Sequence, residues 1–255
     1  MLVVASANPE DYTSRGRIIT PLKDRYAAQI RTHYPRHREL EIEVANQEAK
    51  LPALDNIEVH VPDYMQDIVA ELTFQARDSA DISQASGVSV RMTIANFETL
   101  AANAQRRALS LGEAEAVPRI TDLPALLASS RGKIELEYAG ADRTEDEIIK
   151  DLIQRAVRVV FEERVSDQDV KSVVESFDQG WQVEVAPSLP SGDYLDGLDE
   201  ITGLRALAKE LGGGESEARL ASAIEFVLEG LHLANRLNKD EVSGATRFGK
   251  LREAP

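Results

Sequence analysis

The side chains able to do chemistry in this 255-residue chain are few in kind. It has no cysteine, which excludes a disulfide framework, thiolate zinc or iron–sulfur ligation and a cysteine nucleophile. Four imidazoles remain as ligands or bases: His33, His37, His60 and His232. His33 and His37 are four apart but bracket Pro35, which works against the shared helical face that chelation needs, so they read as surface histidines and no metal site is expected. A phosphate cradle is missing too. No G-x-x-x-x-G-K-[ST] occurs, and Gly212-Gly213-Gly214-Glu215-Ser216 does not replace it. Leu195-Asp196-Gly197-Leu198-Asp199-Glu200 interrupts its apolar run with Asp196 and Gly197, and reads as a linker and helix start rather than a Walker B strand. What remains are amides and guanidinium groups. Asn8, followed by Pro9, ends an apolar run; Arg15, Arg17, Lys23 and Arg25 follow it; Arg91 stands in Gly87-Val88-Ser89-Val90-Arg91, just before a helical pattern. Taken alone, an Asn before Pro terminates a strand and a single Arg is a solvated side chain.

Charge divides the chain unevenly. The total is −15, yet residues 1–38 hold seven basic against three acidic residues, a balance of +4 that leaves −19 for the remainder. With 43% apolar and 29% charged residues the composition is that of a folded protein, and the length suits one or two domains. So acidic a body argues against a general polyanion or membrane binder, so neither direct nucleic-acid binding nor a membrane role is expected. The apolar opening, residues 1–7, is too short for a signal peptide, and no run approaches the ~20 residues that span a bilayer; the expectation is a cytoplasmic protein.

The elements that must carry these groups can be read in order. Leu2-Val3-Val4-Ala5 is a continuous apolar run of the kind buried on both faces of a parallel sheet, and Ala28-Gln29-Ile30-Arg31-Thr32 is a second short β-like run. From Pro62, Met65, Ile68, Val69, Leu72 and Ala76 recur at helical spacing, with Asp63 as a cap and an end near residues 79–83. Val88-Ser89-Val90 is β-like; a second helix follows, with Thr93 as cap and Ile94, Phe97, Leu100, Ala101, Ala104 and Ala108 as its apolar face, closing at Leu111-Gly112. A short helical stretch at 121–129 precedes an alternating strand pattern at 133–138. Thr144 with Glu147 has capping-box spacing, Glu145-Asp146-Glu147 suits a solvated helix start, and the next helix carries a broad apolar stripe from Ile148 to Phe161. Residues 170–177 read as a short helix, 181–185 as a strand, and two helices separated by the glycine run close the chain, the second over 216–237. No internal repeat appears.

The stretch Ala5-Ser6-Ala7-Asn8-Pro9, continuing to Leu22-Lys23-Asp24-Arg25-Tyr26, resembles the AAA+ ATPases of the magnesium chelatase small subunit and MoxR groups, and bacterial relatives described as sigma-54-interacting regulators. In that family an Asn in an A-x-x-N-P context is sensor 1, the Arg of L-x-D-R-[FY] reaches a neighbour's nucleotide, and an Arg at the start of a lid helix is sensor 2. The resemblance therefore implies sensor 1 for Asn8, an arginine finger for Arg25 and cofactor binding for Arg91. It implies a mainly α fold with a small α/β remnant, in three parts: residues 1–50 as the remnant of the α/β core, 51–112 as the helical lid, and 113–255 as a mostly helical C-terminal region with short strands. On this account the chain starts inside an ATPase, at its fourth sheet strand. The intact family protein would use ATP and Mg2+, assemble as a homo-oligomeric ring and act on a partner, a von Willebrand A-type protein among the candidates. Metal insertion, chaperoning and transcriptional regulation all stay open. Without Walker A and B the chain alone is expected neither to bind ATP tightly nor to hydrolyse it. The alternative is a non-enzymatic, acidic interaction or regulatory module derived from such an ATPase.

Overall fold

The computed structural model describes residues 2–6, 21, 24–51, 53–54, 56–83, 86–137, 143–196, 198–212, 214, 216–242 and 244–251. They are mainly helical, 57% helix against 10% strand. In chain order the elements are α1 (Arg38–Glu48), β1 (Glu58–Val59), α2 (Asp63–Asp78), α3 (Arg91–Leu111), β2 (Glu115–Ala116), a 3-10 turn (Ile120–Ala125) running into α4 (Leu126–Ser130), and α5 (Glu145–Arg164). Then come α6 (Asp167–Asp178), β3 (Val183–Val185), 3-10 turns at Ser191–Leu195 and Leu198–Glu200, α7 (Leu204–Gly212), α8 (Glu217–Leu233), β4 (Leu237–Val242) and β5 (Ala245–Lys250).

Local rules account for several helix ends. Thr144 Oγ1 accepts from the Glu147 N–H at 3.3 Å while the Glu147 carboxylate accepts from the Thr144 N–H at 2.7 Å, the reciprocal box read from the sequence. Gly112 closes α3 in the left-handed region, φ +71, and returns its N–H to Ala108. Asp63 is the first residue of α2, with Pro62 in the cap position. The apolar stripe of α5 is buried throughout: Ile148, Ile149, Leu152, Ile153, Ala156, Val157, Val160 and Phe161 all face the core.

One hydrophobic cluster runs from Tyr64 to Phe248 and contains side chains of α2, α3, α5, α6, α7 and α8. At its centre lies α8, buried on nearly every side from Ala218 to Leu231, as a helix apolar all round must be. Phe226 of α8 stacks on Tyr64 of α2 at 4.5 Å between ring centroids and meets the edge of Phe161 of α5 at 5.8 Å. Gly230 makes this approach attainable, since a Cβ there would lie 2.1 Å from Phe161 Cδ2. Against this core rests a three-stranded antiparallel sheet in the order β3-β5-β4, with Glu184 opposite Arg247 in the β3–β5 register and the β4–β5 turn made at Gly244, φ +84.

Several sequence expectations are corrected. Residues 2–6 form no strand: Leu2 is 90% exposed and Val4 84%. Residues 28–32 likewise lie in neither helix nor strand and are exposed, with Ile30 88% in water. An all-apolar run becomes a strand only when neighbours supply its hydrogen bonds and cover both faces, and no described residue does so here. Within 1–50, α1 is the helix of several residues found among the described residues. Val88-Ser89-Val90 leads as a turn into α3, and the pattern at 133–138 yields, among the described residues, an isolated bridge from Leu136 to Ile82. Thr93 sits inside α3 rather than capping it. The last helix ends at Leu233, and Leu237 instead opens β4. Among the described residues no helix is long and apolar enough to cross a membrane.

Candidate functional site

Arg91 is the first residue of α3, and its guanidinium is exposed with no ion pair among the described residues. The turn that delivers it is held from below. Arg77 of α2 grips the buried carboxylate of Glu41 of α1 with two parallel bonds, Nη1 to Oε2 at 3.0 Å and Nη2 to Oε1 at 2.9 Å. Its Nε donates to the Val88 carbonyl at 3.0 Å, three residues before Arg91. The Thr93 hydroxyl donates to Glu41 Oε1 at 2.7 Å and meets the Thr73 hydroxyl at 2.7 Å. Three helices and the 88–91 turn thus converge on a single carboxylate, and Ser89 Oγ accepts the Arg91 N–H at 3.3 Å.

Tyr34 closes this seam from outside. The Arg77 guanidinium lies 4.5 Å from the centroid of its ring, and its hydroxyl occupies the space beside Gly87, where a Cβ would come within 2.4 Å. Gly87 has φ +64, so glycine is required there twice over. A cavity of about 130 Å³ opens between Tyr34, Arg77, Ile82, Ser83, Gly87 and Val88.

Of the three residues singled out from the sequence, Asn8 lies outside the described residues. Arg25 sits in a turn, exposed, its Nη1 donating to the Pro21 carbonyl at 2.7 Å. No hydrogen bond or ion pair among the described residues joins Arg25 to Arg91; what the structure does bring beside the Arg91 turn is Tyr34. The guanidinium of Arg91 at the N-terminal end of a 21-residue helix, where orphan N–H groups and the helix dipole add positive potential, is an arrangement that attracts anions.

A second polar cluster is buried where no motif marks it. Arg119 is fully buried; it donates to the Leu189 carbonyl at 2.8 Å and to Ser191 Oγ at 2.6 Å, reaches Glu113 at 3.3 Å and lies 4.8 Å from the centroid of the Tyr194 ring. Arg107 pairs with Asp122 at 3.0 Å, and Asp122 also accepts the Arg119 N–H. Glu225 of α8 accepts from the Thr121 N–H at 2.8 Å and the Tyr194 hydroxyl at 2.5 Å. Burial pushes the Glu225 carboxyl above its ordinary range, against the opposing pull of Arg119, Tyr194 and Thr121. Burial and the Glu225 charge raise the Tyr194 phenol in turn. Together these groups tie the 107–122 segment to the 189–194 turn and α8. Only the spacing of Asp122 three residues after Arg119, which closes the 3-10 turn, is a signal the sequence offers.

The histidines stay apart. His60 is pushed down by burial and by Arg219, while His232 Nδ1 lies 3.1 Å from the Leu237 carbonyl. No group of three metal-ligating side chains is present among the described residues. Compared with known proteins, the chain matches no family model, no curated protein and no solved structure.

Proposed function

We propose that this chain carries the accessory arginines of a ring-forming nucleotide-driven motor of the magnesium chelatase/MoxR AAA+ type, which couples ATP hydrolysis to remodelling of a partner or to metal insertion. The observation that carries the reading is Arg91: an exposed guanidinium with no ion pair among the described residues, at the first position of a long helix, on a turn buttressed by the Glu41–Arg77 fork. Arg25 on its exposed turn suits a residue that acts across a subunit boundary. In this reading α2 and α3 are lid helices, and Arg91 answers the negative charge of a bound phosphate.

The chain's own residues fit an accessory role and nothing more. They include no glycine-rich cradle, phosphate lysine or Mg2+-binding hydroxyl of the P-loop kind, so no step of hydrolysis is assigned to them alone. Translating the genomic DNA upstream of the Met1 codon in frame tests the reading. A G-x-x-x-x-G-K-[ST] followed by an apolar run ending in Asp-Glu is the expected result, and in that polypeptide Arg25→Ala lowers the hydrolysis rate about 10³-fold or more. A stop codon and a ribosome-binding site at that place overturn the ATPase reading.

A second reading, a non-enzymatic acidic interaction module, is favoured by the continuous core from Tyr64 to Phe248, which binds the lid-like helices and the C-terminal region together. Static light scattering separates the two: a module gives a defined particle, whereas a motor fragment aggregates through its exposed apolar residues.

A further inference from the structure

We infer that Tyr34 is a positioning residue for Arg91: seated on Arg77 and Gly87 from outside, its side chain fixes the 87–91 turn and with it the direction of the Arg91 guanidinium. The segment ahead of α1 thereby regulates the anion site. This control rests on the proposed role of Arg91 as the group that answers a phosphate, and names what governs it.

Arg91 has no ion pair among the described residues, so its direction is set by the backbone that carries it. That backbone is tied by the Gly87 N–H to the Ser83 carbonyl at 3.2 Å, the Arg91 N–H to Ser89 Oγ at 3.3 Å and the Met92 N–H to the Ser89 carbonyl at 2.9 Å. The bond from Arg77 Nε to the Val88 carbonyl, 3.0 Å, reaches the turn from α2, so whatever settles the Arg77 guanidinium settles the turn. The Glu41 fork and the Val88 carbonyl hold that guanidinium along its edges. Tyr34 adds a hold of another kind, because Arg77 Cζ lies over its ring, 4.5 Å from the centroid. The ring also keeps water off the fork, whose side chains are 11% exposed at Arg77 and 0% at Glu41, and a dry fork is a stronger one.

Tyr34 touches the turn directly as well. Its hydroxyl oxygen lies 2.4 Å from where a Cβ on residue 87 would stand, while its Cζ lies 3.4 Å from that position, so the close approach is made by the hydroxyl alone. This seat can be vacated. Tyr34 is 45% exposed, belongs to neither helix nor strand, and borders a cavity of about 130 Å³, room for about four waters. It also lies outside the hydrophobic cluster that runs from Tyr64 to Phe248. Release of Tyr34 therefore wets the Arg77 fork and frees Gly87 while the core stays packed. The loosened turn then presents Arg91 in many directions in place of one, and the ordering that Tyr34 had supplied falls on the binding of the anion.

Nitrogen-15 NMR on the purified chain tests this with two readouts: amide hydrogen exchange at Gly87, Arg91 and Met92, and the affinity for inorganic phosphate, at about 1–50 mM, read from the Arg91 Nε–H. In Tyr34→Ala the three amides exchange about tenfold faster or more and phosphate binds about threefold more weakly or worse, while the amides of α5 and α8 keep the rates of the parent chain. Gly87→Ala is a second route to the same state, since its methyl meets the tip of a half-exposed side chain and evicts the tyrosine. Adding Tyr34→Phe to Gly87→Ala leaves Cζ, at 3.4 Å, as the nearest ring atom and returns part of the lost protection. The strain of an alanine at φ +64 is common to both chains and cancels between them. Unchanged exchange at the turn in Tyr34→Ala, or a Gly87→Ala defect that Tyr34→Phe does not improve, overturns the inference. So does faster exchange in α5 and α8 equal to that of the turn, or a phosphate affinity that ignores the loosened turn. If the parent Arg91 does not respond to phosphate while exchange follows Tyr34, the proposed anion role of Arg91 fails and the hold of Tyr34 on the turn stands.

Discussion

In the body of the molecule several guanidinium groups meet carboxylates brought from other parts of the chain: Arg77 meets Glu41, Arg107 meets Asp122, Arg164 meets Asp67 and Arg219 meets Glu115. In the arm formed by residues 24–37, Arg25, Arg31 and Arg36 meet none among the described residues, although the chain holds 44 acidic residues against 29 basic ones. Abundance of opposite charge does not therefore produce pairing. Pairing matters most where packing has dehydrated one member, as at Glu41 and Asp122, because a buried carboxylate without a partner costs far more than an exposed one. Where nothing is buried, as in the arm, water satisfies the cations and an ion pair gains about 0–1 kcal/mol.

That contrast can be broken at its strongest point. Glu41→Ala leaves Arg77 half-buried without its fork and frees the Val88 turn, and should cost about 3–5 kcal/mol in urea unfolding. A loss below about 1 kcal/mol would show that the seam is relaxed in solution and that Arg91 is not held by it.

A smaller effect, and one that depends on pH, is expected at Glu225. Its folded carboxyl titrates above the ordinary value of 4.5, so the stability it contributes is fully present below that value and is lost as pH rises through the folded value. Asp146, Glu147 and Asp169 act with the opposite sign. The Arg131 guanidinium holds Asp146 low, and the cap bonds with Thr144 and Ser166 hold Glu147 and Asp169 low, so their contribution is lost as pH falls. Glu225→Gln removes the alkaline-side loss, and its stability relative to the parent chain should rise between about pH 5 and about pH 8. A difference constant across that range means that Glu225 titrates alike in the folded and unfolded chain.

The least effect belongs to the arm. Arg31→Ala should change the unfolding free energy by no more than about 0.5 kcal/mol, since its side chain touches nothing that folding buries. A larger loss would place the arm in the fold and erase the contrast between the two regions.

Legibility in the sequence follows the same division between local and distant causes. The helix α5 could be read completely, cap and stripe, because both signals lie within the segment itself. The helix α1 could not: only Ala45 and Glu41 of its eleven residues are buried, so it has no apolar face to recognise, and it is held by a carboxylate reaching Arg77. The strand β4, Leu-Asn-Lys-Asp-Glu-Val, has too little alternation to announce itself, and exists through its pairing with β5 and the bond from Lys239 to the buried Glu229. The opposite error arose at residues 2–5, where the apolar composition of a strand is present without any neighbour to make it one. As for the candidate site, the position of Arg91 just before a helix was legible, while the fork beneath it and the clamp by Tyr34 were not.

The sequence by itself determined the mainly helical class, the helix ends set by Thr144 and Gly112, the absence of thiol chemistry and of a P-loop, and the split between a basic head and an acidic body. These depend on residue type and on spacings within one or two turns. Only the tertiary structure decided that Arg119 and Glu225 are wired together inside the core, that Glu41 supports the turn of Arg91, and that Arg31 and Arg36 stay in water. A charged side chain carries no local mark of whether it will be buried, and that is settled when packing removes its solvent and a partner from elsewhere in the chain replaces it.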